Sequence, residues 1–194
     1  MTKSFKITAL KKATKTLVGM RVPEQKNGNV GHLVEDVMAD AGYPINRRAT
    51  VDLPDLKVEV KTRTAEATSA HAIGSMTVND IINTPYWSSP VKDKFQQQFR
   101  VTHSDTFREV TSAKIYDFSD TYIQGLVEKD YEAGRAIFVE LQKNGSGYPK
   151  YVRGANTDFY WEKKDCNSYA FRASDSAMKE YEQMATSTYK SLFD

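Results

Sequence analysis

The stretch Val51-Asp52-Leu53-Pro54-Asp55-Leu56-Lys57-Val58-Glu59-Val60-Lys61-Thr62 constrains this chain more than any other. Pro presets a turn dihedral and Asp bonds its own backbone nearby, so Leu53–Leu56 is the predicted tight turn. From Lys57 to Thr64, Val58 and Val60 alternate with Glu59 and Lys61. Alternate residues of a strand share a face. The valines therefore point into a core, and Glu59 and Lys61 point together to the other side. The reading is a hairpin over residues 49–64. With that turn Asp52 pairs with Lys57 and Thr50 with Glu59. Asp52 and Glu59 are then diagonal neighbours, about 7–8 Å apart, close enough for long side chains to converge.

Two carboxylates and a lysine on one sheet face suit a hard divalent cation. Mg²⁺ takes oxygen ligands and keeps several waters. Bound there, it polarises a phosphoryl oxygen and acidifies water. A lysine beside it can orient or deprotonate that water, or stabilise developing charge. Glu-x-Lys on a strand is also a common solvated pattern, so the pair takes its meaning from its surroundings. Asp55 is the rival to Asp52 as a ligand. It lies in the turn, four residues from Glu59.

The rest of the chain reads as α+β, with helices around a central mixed sheet. A Lys-rich amphipathic helix is predicted from Ile7 to Gly19. Val30, Leu33, Val34, Val37, Met38 and Ala41 form one apolar helical face, stopped by Gly42, with Glu35 on its flank. Strands are predicted at His71–Thr77, Phe99–His103, Phe107–Phe118, Tyr148–Val152, Asp158–Trp161 and Ser168–Arg172. A short helical piece spans Val78–Asn83. Ser88 or Ser89 caps a helix to about Gln98, with Pro90 early in it. Asp120 begins a long helix to Lys143, whose apolar positions are Tyr122, Ile123, Leu126, Val127, Ala133, Ile137 and Leu141. Ser174 caps the last helix.

At 194 residues with 40% apolar content, the chain is the size of about one domain and buries a core without staples. No apolar run is long enough to span a membrane, and the basic N-terminus lacks the apolar region of a signal peptide. A net charge of +2 is too small for a bulk cationic field, so any nucleic-acid contact needs charges gathered on one face. The single Cys166 excludes an internal disulfide and a thiolate zinc site, and suits a reducing, cytoplasmic setting. The three histidines show no metal-ligand spacing, and no phosphate-binding glycine loop or nucleophile elbow is present.

Asp52 with Glu59-x-Lys61 resembles the PD-(D/E)xK nuclease core. Within that superfamily the chain is most similar to the MutH mismatch-repair nickase and the related GATC-cutting restriction endonucleases. Three blocks carry the resemblance, in order. Gly28-Asn29-Val30-Gly31-His32-Leu33-Val34-Glu35 is similar to a Gly-x-x-Gly-x-Leu-x-Glu helix start. Asp52–Thr62 is similar to Asp-Phe-x-x-Leu-Gly-Val-Glu-Leu-Lys-Thr. Ser88-Ser89-Pro90-Val91-Lys92-Asp93-Lys94-Phe95 is similar to a Ser-x-Val-x-x-Lys-Leu helix. They span residues 28 to about 100, half the chain. The departure is Lys57, where the family tends to have Gly.

The resemblance implies a restriction-endonuclease-like fold, a single domain whose two lobes form a DNA cleft. Catalysis falls to about residues 1–100 and DNA recognition to about 101–194. It implies that Asp52 and Glu59 bind Mg²⁺, for which Mn²⁺ can substitute, and that Lys61 is the catalytic lysine. Glu35 completes the site from its helix, and Lys94 is a second lysine near the scissile phosphate. Double-stranded DNA is the implied partner, with a transient dimer on DNA and an activating protein as further expectations. Arg153, Asn156 and Arg172 are candidates for base contacts, and Lys163 and Lys164 for phosphates. The block 158–164 and the block 168–172 compete as the aromatic–basic strand. Two other readings use the same residues: a structure-selective nuclease such as a junction resolvase, and an inert DNA- or partner-binding domain.

Overall fold

The computed structural model describes residues 11–22, 29–43, 45–46, 51–154 and 158–193. The strands in chain order are β1 (Glu59–Thr64), β2 (His71–Thr77), β3 (Gln97–Ser104), β4 (Glu109–Asp117), β5 (Tyr151–Arg153), β6 (Phe159–Lys163) and β7 (Ser168–Ala173). The helices are α1 (residues 11–17), α2 (Asn29–Asp40), α3 (Val78–Asn83), α4 (Pro90–Gln96), α5 (Thr121–Lys143) and α6 (Asp175–Phe193). The class is α+β, sheets flanked by helices. The described strands form two sheets, ordered β1-β3-β4 and β2-β7-β6-β5. They belong to two compact units, Met1–Ala67 with Gln97–Tyr116 and Thr68–Gln96 with Asp117–Asp194. The chain thus passes between units more than once, and their boundary does not fall at one point near residue 100.

In the first unit, α1 buries Ala13 and Leu17, one helical turn apart. Its predicted first residues, 7–10, lie outside the described residues. Helix α2 buries Val30, Val34 and Met38, the centre of the predicted stripe. It ends as the sequence predicts: Tyr43 N–H bonds Met38 O at 2.8 Å and Gly42 N–H bonds Ala39 O at 2.9 Å, with Gly42 at φ +87°. That is a Schellman stop, which favours Gly for its left-handed residue. The sheet's apolar face (Val58, Phe99, Val101 and Val110) packs with these helices in one aliphatic-rich cluster. Strands β1 and β3 run parallel, with Glu59 beside Gln98 and Lys61 beside Arg100.

The second unit's sheet is antiparallel throughout. Three predicted caps are in place. Ser89 Oγ accepts the Lys92 N–H at 3.2 Å ahead of Pro90, Asp120 accepts from Tyr122 and Ile123, and Ser174 Oγ accepts the Ala177 N–H at 3.1 Å. The predicted apolar face of α5 needs correction. Tyr122 and Ile137 are exposed, and Leu126, Ala133 and Leu141 are only partly buried; the buried positions include Ile123, Val127, Tyr131, Gly134 and Phe138. The reason is Trp161, fully buried on β6. A β-carbon on Gly134 would lie 2.7 Å from its Cδ1, so the helix turns a position without a side chain towards the indole.

Candidate active site

The centre of the site is the turn leading into β1. Leu56 N–H bonds Leu53 O at 3.1 Å, the predicted turn, but the hairpin closes one residue later. Leu53 and Val58 exchange both backbone bonds, at 2.9 and 3.2 Å, and Lys57 is pushed to φ +58°. The expected Asp52–Lys57 pair is therefore replaced by a Leu53–Val58 bridge. The Thr50–Glu59 pair lies outside the described residues. Lys57 occupies the left-handed region that glycine adopts without strain, at the position where the resembled motif carries Gly.

This closure brings Asp52 to the start of β1. Its Oδ2 accepts the Val60 N–H at 3.0 Å. Glu59 and Lys61 share a face, as alternation predicts, and Lys61 Nζ donates to Glu59 Oε1 at 2.7 Å. Glu59 is 2% exposed, whereas the Lys61 side chain keeps 25% of its surface. A buried carboxylate thus carries an ammonium whose other side solvent reaches. Asp55 sits at the exposed tip of the turn.

On α2, which packs against β1, Glu35 is half-buried on the helix flank, and its carboxylate meets His32 Nδ1 at 3.1 Å. Lys94 belongs to the second unit, on α4, where its Cδ lies 3.2 Å from the place a Gly74 β-carbon would take. Among the described residues, no three His, Cys, Asp or Glu side chains are gathered as a ready-made metal cage. The carboxylate oxygens of Asp52 and Glu59 are hard donors, the type that suits a cation retaining several waters.

The candidate DNA-contacting residues are all in the second unit. Arg153 on β5 lays its guanidinium 4.8 Å from the Tyr160 ring centre and 5.9 Å from that of Tyr151. Lys163 Nζ donates to Tyr148 O at 3.3 Å, and Lys164 is exposed. Arg172 is ion-paired to Glu162 at 2.5 Å, its diagonal neighbour on β6, while Tyr160 lies directly opposite it. Asn156 lies outside the described residues. The two competing aromatic–basic blocks are both strands, and they pair with each other as β6 and β7.

Gln98 and Arg100 escape a reading of the sequence. They flank Glu59 and Lys61 only because β1 and β3 pair in parallel. Parallel pairing joins segments far apart in the chain, and no local pattern marks it here.

No family model matches this sequence, and no curated protein matches it. Among solved structures it is similar to a "Restriction endonuclease MvaI-cognate DNA substrate complex", at 11% identity over 93% of this chain and 97% of that one, with a TM-score of 0.49. At that level the likeness adds no weight to any assignment made above. Among the described residues no helix is long and apolar enough to cross a membrane.

Proposed function

We propose that the chain is a magnesium-dependent, sequence-specific DNA endonuclease. One observation carries the reading. Asp52, anchored on the Val60 N–H, stands at the start of the strand on which buried Glu59 and partly exposed Lys61 share a face and an ion pair.

Asp52 and Glu59 would hold the divalent cation. When bound, that cation supplies Lewis-acid polarisation of the phosphodiester and acidifies nearby water. The chain supplies the rest. Burial of Glu59 and the backbone anchor on Asp52 keep both carboxylates in place without rearrangement. Lys61 Nζ, steered by Glu59 Oε1, orients the attacking water or, having first released a proton to solvent, takes that water's proton as the neutral amine. Water oxygen then bonds phosphorus, the bond from phosphorus to the leaving sugar oxygen breaks, and that oxygen takes a proton. In this reading Glu35, on the helix packed against β1, is a supporting group, and Arg153, Lys163 and Lys164 contact the DNA. One chain carries one centre, so a monomer nicks a strand per visit, and double-strand cleavage needs two chains or two events.

The test is supercoiled plasmid incubated with the protein in Mg²⁺, beside Glu59→Ala and Lys61→Ala. Open circles or discrete linear fragments from the wild type alone are the expected result. A wild type that leaves methylated, unmethylated and branched DNA intact overturns the reading.

A further inference from the structure

We propose that Arg100 is a further catalytic residue of this centre, binding the scissile phosphodiester beside Lys61. The inference rests on the nuclease reading and adds a group to it. Arg100 is the register partner of Lys61 in the parallel β1–β3 pair. Neighbouring strands lie about 4.8 Å apart, and partners in register project from the same face. The burial pattern agrees: Phe99 and Val101, on either side of Arg100, are 0% exposed and belong to the apolar cluster with Val58. Arg100 therefore stands on the opposite face, with Glu59 and Lys61. It is half-buried on the middle strand of the sheet, held by a neighbour on each side.

Chemistry divides the work between the two cations. The Lys61 ammonium is a point charge already aimed at Glu59 Oε1. The guanidinium is a planar fork that stays charged at every working pH and bonds two phosphoryl oxygens at once. Attack by water concentrates negative charge on the non-bridging oxygens. A fixed donor pair aimed there stabilises the transition state more than the ground state. Lys61 then serves the water and Arg100 the phosphate.

The experiment compares wild type, Arg100→Gln and Arg100→Lys, each as the full chain. It measures single-turnover plasmid cleavage in Mg²⁺, duplex binding in Ca²⁺ across a salt series, and thermal unfolding. Arg100→Gln is expected to lower kcat by about 10²–10³-fold. Its slope of log Kd against log salt should fall by about one, the mark of a lost phosphate contact. Arg100→Lys should keep that slope but recover only part of kcat, because the charge returns without the fork. A folded Arg100→Gln with wild-type kcat and slope overturns the inference and leaves the nuclease reading standing. Should Arg100→Gln fail to fold, a wild-type kcat in Arg100→Lys overturns it instead. An inert wild type overturns both.

Discussion

The two units bury polar groups in different company. In the second, buried Asp130 turns Oδ2 to the Phe159 N–H at 3.1 Å, and buried Gln124 gives its amide to Phe118 O at 2.8 Å and accepts the Tyr86 hydroxyl at 2.8 Å. These groups fasten main chain and a core ring. The surrounding core is aromatic, with Phe159 stacked on Phe171 at 5.5 Å and Tyr131 edge-on to Trp161 at 5.3 Å. In the first unit the core is largely aliphatic, and buried Glu59 is ion-paired to a lysine that solvent reaches. A buried acid bonded to backbone locks a fold. One bonded to an accessible side chain can exchange that partner for a ligand, as the proposed role of Glu59 requires.

The largest expected effects test that distinction directly. Glu59→Gln should lower cleavage by about 10³-fold or more. Its unfolding free energy should stay within about 1 kcal/mol of wild type, because the isosteric amide keeps the packing and the Lys61 ammonium it leaves behind is reached by solvent. Asp130→Ala should do the reverse. It leaves the buried Phe159 N–H without that acceptor, a loss of about 1–3 kcal/mol, with cleavage per folded molecule unchanged. Denaturant melts and single-turnover cleavage on both variants check the pair. A destabilised but active Glu59→Gln erases the contrast.

Next in size is Gly134→Ala, which probes how tightly the aromatic core is packed. The added methyl meets Trp161 Cδ1 at 2.7 Å and Nε1 at 2.9 Å, and the indole is fully buried. Overpacking costs about 1–3 kcal/mol, offset by about 1 kcal/mol of gained helix propensity. A net loss of up to about 2 kcal/mol in thermal or denaturant unfolding is expected. An unchanged or raised stability means the Trp161 side of the core yields easily.

What the sequence discloses follows the range of the interaction. The stop of α2 at Gly42, the caps at Ser89, Asp120 and Ser174, and the shared face of Glu59 and Lys61 are local rules, and all stand in the structure. The closure of the hairpin at Val58 is not legible, because it rests on Lys57 adopting a conformation that its residue type does not advertise. The true face of α5 depends on where Trp161 arrives from a later strand, and hydropathy scores Gly134 as nothing at all. The Lys61–Arg100 neighbourhood depends on parallel pairing across an intervening excursion into the other unit. Local alternation thus put Glu59 and Lys61 on one face, and tertiary pairing set Arg100 beside them.

The smallest effect asks whether the difference between the units extends to their surfaces. Each carries an exposed carboxylate that closes a turn. In the first, Glu66 accepts the Ser104 and Thr64 hydroxyls, each at 2.6 Å, and the Asp105 N–H at 3.2 Å. These bonds, the Ser104 hydroxyl foremost, hold its carboxyl down at about 2 from the usual 4.5. In the second, Asp165 takes the Ser168 hydroxyl and the Asn167 and Ser168 N–H groups, and its pKa is lowered too, chiefly by that hydroxyl. A carboxyl whose folded pKa is depressed stabilises above its unfolded value and loses that contribution as pH falls through the folded value. For Glu66 the window runs from about 4.5 down to about 2. The gap in denaturant midpoint between wild type and Glu66→Gln should be constant above that window and shrink across it, and Asp165→Asn should show the same sense of change below its own unfolded value. Both effects should be small, because solvent screens exposed groups. Matching slopes would confine the contrast between the units to their buried acids. A slope in Glu66→Gln with none in Asp165→Asn would extend it to their turns.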